Sequence, residues 1–70
     1  MEYREVLLLY LGKYDMSQAE LARRVGVPRS TINSLATGQV SQPTLLTAKA
    51  IADAFGVTLQ EMVDVMEGER

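Results

Sequence analysis

Apolar and polar positions alternate along this chain with a helical rather than a strand period. Tyr3, Val6, Leu7, Tyr10 and Tyr14 recur at i, i+3 and i+4, so they form one inward stripe on a helix over residues 2–14. Leu8, Leu9 and Leu11 fall off that stripe. They widen the apolar face, and the expectation is that the C-terminal helix covers them; the alternative is a partner surface. Leu21, Ala22 and Val25 repeat the period over 18–25, and Ile32 and Leu35 do so over 29–36. Leu45, Ala48, Ile51, Ala52 and Phe55 give the buried face of a helix over 45–55. Leu59, Met62 and Val63 reach inward from a last helix over 59–66, and residues 67–70 are expected to fray.

Punctuation between these stripes sharpens their ends. Ser17 with Glu20, and Thr58 with Glu61, have capping-box spacing, in which a hydroxyl and a carboxylate each meet an orphan amide. Gly26 stands where the second helix must stop, and glycine takes a left-handed conformation there without a Cβ penalty. Val27 fills the corner, and Pro28 offers a fixed φ at a helix start. Gly38 and Gly56 close the third and fourth helices, and Thr44 caps the fourth. The segment 18–36 is therefore two short helices joined by a tight turn. The outward face of the second carries Arg29, Ser30, Asn33 and Ser34, side chains that donate and accept hydrogen bonds.

This segment resembles the helix-turn-helix of the phage-repressor (Cro-like, XRE-type) DNA-binding domains. The resemblance rests on Leu21, Ala22, Val25 and Gly26, then Val27, Ile32 and Leu35, at gap-free spacing. The opening Ser17-Gln18-x-Glu20-Leu21-Ala22 and the later Gly38 and Pro43 extend it over nearly the whole chain. It implies an all-α, compact five-helix, lambda-repressor-like fold, with residues 1–70 forming a single domain. It also implies a transcriptional regulator or repressor that reads double-stranded DNA with helix 29–36. Base contacts are then expected from Arg29, Ser30, Asn33 and Ser34, with arginine able to bond guanine O6 and N7 together. Gln18 matches the family glutamine that meets a phosphate and braces the recognition helix. Thr31, Thr37, Gln39 and Ser41 are expected at the sugar-phosphate backbone, and Arg23 and Arg24 as solvated charges that steer. Members often carry arginine at the position of Leu11 and glutamate at that of Ala36. Here both are apolar, which implies that the two side chains touch.

Composition changes this picture in two respects. Seven basic and nine acidic residues give a net charge of −2, an unusual balance for a nucleic-acid binder. The charge is segregated: five basic and two acidic residues between Lys13 and Lys49 leave +3, and five acidic against one basic from Ala50 onward leave −4. Local field, not the total, governs steering, so modest affinity per subunit is expected. Histidine and cysteine are absent, which removes the ordinary proton shuttle, the thiolate nucleophile and the usual metal ligands. No catalytic motif, metal spacing or phosphate loop is legible; no cofactor, small-molecule ligand or enzyme activity is expected. The longest apolar run, Val6 to Leu11, is too short for a membrane span or a signal-peptide core, and a reducing cytoplasm fits the absence of cysteine.

One small module is poorly equipped to find a site alone. A homodimer on a palindromic operator is therefore expected, paired through Leu59, Met62, Val65 and Met66. The competing reading is a protein-interaction module on the same fold, an antitoxin-like partner or regulatory subunit. Such a module should present apolar anchors on helix 29–36, where this chain has polar side chains.

Overall fold

A computed structural model describes residues 1–68. Five helices follow in order: α1 (Tyr3–Lys13), α2 (Gln18–Val25), α3 (Arg29–Thr37), α4 (Leu45–Phe55) and α5 (Leu59–Glu67). No strand is present among the described residues. Each helix end lies within a residue of its expected place. Glu67 is still helical, and the rest of the expected frayed segment beyond Gly68 lies outside the described residues.

One core collects side chains from all five helices. Val6 and Leu7 of α1, Leu21 of α2, Ile32 of α3 and Ile51 of α4 are wholly excluded from solvent, and Met62 of α5 nearly so. Burying an aliphatic side chain of this size contributes about 1.5–3 kcal/mol, which is how a chain without disulfides holds together. α3 packs against both α1 and α2, α4 against α2, and α5 closes over α1 and α4. Tyr10 fastens α1 to α5: its hydroxyl donates to the Glu61 carboxylate at 3.0 Å. Burial, and then the Glu61 carboxylate, push the Tyr10 phenol up to about 12.

Three of the four turns between helices share one device. The amides of Met16, Val27 and Val57 bond the carbonyls of Leu11, Ala22 and Ala52, five residues back, at 2.9, 3.1 and 3.0 Å. Each of these apolar residues then packs on the core, the hydrophobic contact that accompanies this type of helix ending. At two of these turns the left-handed residue is a glycine; at the first it is Asp15, with φ 52°. Replacing Asp15 by glycine should relieve that conformation. A gain of about 0.5–1 kcal/mol, or about 2–8 °C in Tm, is expected from thermal melting. A lower Tm would mean that the aspartate side chain itself secures the turn.

Four expectations change. Tyr14 ends the α1 stripe but is 39% exposed; its ring stacks on Phe55 at 5.8 Å, with the Lys13 ammonium 5.4 Å from its centre. Leu45, placed on the buried face of α4, is 73% exposed and lines a surface groove instead. Leu8 and Leu9 are not covered by α5, which lies over the Tyr3 and Tyr10 side of α1; only Leu11 of the three turns into the core. The capping boxes are also half-formed. Ser17 and Thr58 accept from the amides of Glu20 and Glu61, but those two carboxylates bind Arg24 and Tyr10 instead of reaching back.

Candidate nucleic-acid interface

The α2-turn-α3 unit is positioned from below. Ile32, Leu35 and Ala36 anchor α3 in the core, so its opposite side is held outward without freedom to roll. Gly26, at φ 87°, turns the chain between the helices, and Pro28 leads into α3 in an extended conformation, one residue before the helix rather than inside it. Arg29, Ser30, Asn33 and Thr37 are exposed on α3, and Thr31 and Ser34 are half-buried. No apolar anchor interrupts this face.

Charge on this surface is one-sided. No carboxylate occurs in the chain between Glu20 and Asp53. Arg29 occupies the first turn of α3, where the helix dipole disfavours a cation and where no acidic residue compensates it. The other described cations have neighbours. Arg24 and Arg23 lie 2.6 and 3.9 Å from Glu20, Lys49 lies 2.9 Å from Asp53, Arg4 lies near Glu2, and Lys13 sits over Tyr10 and Tyr14. Among the described lysine and arginine side chains Arg29 alone has no anionic or aromatic partner, so its guanidinium is available to an external anion or acceptor.

The remaining polar side chains form a braced surface. The Asn33 amide donates to Gln18 Oε1 at 3.3 Å, tying the start of α2 to the middle of α3. Ser34 Oγ donates to Gln39 Oε1 at 3.5 Å, a long bond that joins α3 to the loop after it. Thr37 Oγ1 donates to the Ser34 carbonyl at 3.3 Å. Gln39 and Ser41 are exposed in that loop. A shallow groove of about 290 Å³ runs between α3 and the start of α4, lined by Ser30, Thr31, Ser34, Val40, Thr44 and Thr47. Gln18, Arg29, Ser30, Thr31, Asn33, Ser34, Thr37 and Gln39 thus belong to one connected region of helix and loop.

The pairing residues are less uniform. Leu59, Val65 and Met66 are half-buried against the core, and Met62 is 2% exposed, so it forms the floor of a surface rather than its contact. A second groove of about 290 Å³ lies above it, walled by Tyr3, Pro43, Leu45, Leu59 and Met66. Periodicity alone turns Leu45 inward, yet neither it nor Leu46, 82% exposed, has a core role. Pro43 borders both grooves, so the apolar one adjoins the loop that follows α3.

Residues 7–62 match the model of a helix-turn-helix family. Two HTH-type transcriptional regulators of Archaeoglobus fulgidus, both uncharacterized, are 40% identical over 53 residues, 76% of this chain and 74% and 73% of theirs. An uncharacterized HTH-type transcriptional regulator of Coxiella burnetii is 40% identical over 48 residues, 69% of this chain. The match spans only 22% of that protein's length. No solved structure matches at comparable significance.

Proposed function

The chain belongs to the XRE-type helix-turn-helix family, and from that premise we propose that it is a DNA-binding transcriptional regulator, acting as a repressor in the cytoplasm. α3 enters the major groove of a double-stranded operator. Arg29, Ser30, Asn33 and Ser34 face base edges, and Gln18, Thr31, Thr37, Gln39 and Ser41 meet the backbone. The observation that carries the reading is the polar, carboxylate-free face of α3 with Arg29 unpartnered at its start. A protein-docking helix would need apolar anchors there. The names of the relatives agree with a regulator.

Fluorescence anisotropy with a random-sequence 20-base-pair duplex pool tests the nucleic-acid half of this reading. Binding should be measurable at low salt and fall linearly on logarithmic axes as salt rises, because each neutralised phosphate releases a counterion. No binding at roughly 20 mM salt would favour the protein-interaction alternative.

Pairing completes the proposal. Two copies related by a two-fold axis place their recognition helices about 34 Å apart, one turn of duplex. Leu59 and Met66 border the groove assigned to pairing, Met62 floors it and Leu45 projects beside it, whereas Val65 packs against the core next to Met66. Sedimentation of the wild type should show a dimer at concentrations on the order of tens of micromolar. Val65→Asp with Met66→Asp should be monomeric. Those residues touch the core, so Leu45→Asp, which disturbs no buried contact, is the companion variant and should weaken pairing as well. A monomeric wild type, or variants that pair normally, would remove this interface.

A further inference from the structure

Arg4 is a cation at the wrong end of its own helix. It occupies the first turn of α1, where the macrodipole favours the carboxylates of Glu2 and Glu5 and disfavours a guanidinium. Its side chain is directed elsewhere. A Cβ added at Gly38 would fall 2.9 Å from Arg4 Nη1 and 3.1 Å from Cδ, so the arginine lies flat across Gly38, at the C-terminal end of α3. Gly38 has φ +84°, and any side chain there would be strained as well as in the way of Arg4. The last turn of α3 holds no basic residue of its own, so Arg4 supplies from α1 the cation that this negative helix end favours. The Arg4 side chain stays 45% exposed, and its nearest carboxylate among the described residues, Glu2, is 3.7 Å away. An exposed pair at that distance holds it only loosely.

The position has a second consequence. Gly38 lies between Thr37 and Gln39, with Ser41 just beyond, and these are the neutral side chains assigned above to the DNA backbone. They can hydrogen-bond a phosphate, but they neutralise none. Between Arg29 and Lys49 the chain carries no cation. We propose that Arg4, seated on Gly38, is a phosphate-binding residue that supplies the positive charge for the strip formed by the end of α3 and the loop after it. This rests on the DNA-binding reading. Arg4 touches no base edge in this arrangement, so it contributes affinity without sequence preference.

The test is a salt titration of the wild type, Arg4→Gln and Arg4→Lys against one preferred duplex and several unrelated ones, with Tm measured on each protein. In Arg4→Gln the slope of log K against log salt should become shallower by about 0.9 per bound subunit, so for each subunit the affinity lost between roughly 50 and 200 mM salt shrinks about three-fold. Binding should weaken by a similar factor on every duplex, and Arg4→Lys should keep the wild-type slope. A role confined to steadying α3 would move Tm and leave the slope alone, which overturns the proposal. A wild type that binds but whose slope ignores Arg4→Gln overturns it too, with the DNA-binding reading intact. A wild type that binds no duplex overturns both.

Discussion

Leu11→Arg should destabilise the domain by about 3–5 kcal/mol, a loss that a protein of this size can barely survive. Leu11 is 7% exposed on α1 and Ala36 is 7% exposed on α3, two helices packed together in the core. An arginine there would carry its charge into a core in which no described charged side chain is buried, and Ala36→Glu would do the same with the opposite sign. Together they should restore most of the loss, because each charge finds the other and neither is stranded. Urea unfolding of the four proteins gives the coupling energy, expected at about 2 kcal/mol or more. Additive losses would mean that the two side chains are not neighbours. A coupling of that size would make the apolar pair a joint replacement of the arginine and glutamate that the family resemblance implies at these positions.

Arg29→Ala should cost about 1–3 kcal/mol in binding a preferred duplex, roughly 5–150-fold in affinity, and should relax discrimination at one base pair. The residue is exposed, unpartnered among the described residues, and sits where its own helix gains nothing from a cation. Helix stability does not account for it. Gln18→Ala should behave differently, weakening all duplexes alike, since Gln18 is assigned to the DNA backbone and not to a base edge. Competition titrations against single-base variants of the duplex separate the two patterns. Unchanged affinity and preference in Arg29→Ala would displace α3 from its assigned role.

Much of this architecture is written locally. Ser17, Gly26, Gly38, Thr44, Gly56 and Thr58 are start and stop signals whose effect reaches only a few residues, so the helix bounds follow from short stretches of sequence. The outward face of α3 is equally local, because Ile32, Leu35 and Ala36 fix which side turns in. What periodicity could not supply is the extent of the neighbours. Tyr14 and Leu45 keep the apolar spacing of their helices yet stand exposed: Tyr14 meets the Phe55 ring and Leu45 lines a surface groove, and neither is enclosed. Leu11 parts company with Leu8 and Leu9 for the same reason: α3 meets one side of α1 and leaves another bare. Glu20 and Glu61 satisfy a local capping pattern, but ion pairing with Arg24 and the bond from Tyr10 win their carboxylates. Arg4 gave no signal at all. Its meaning comes from Gly38, a residue far along the chain, and no helical period connects the two.

The central claim is that α3 reads DNA sequence, and selection from a random duplex library tests it most directly. The wild-type protein, cycled through binding and amplification, should enrich a short motif, with two inverted copies about one duplex turn apart if it binds as a dimer. Arg29→Ala, cycled in parallel, should lose preference at one position of each copy while keeping the rest. A wild-type pool that remains random after repeated enrichment, or an identical motif from Arg29→Ala, would contradict it.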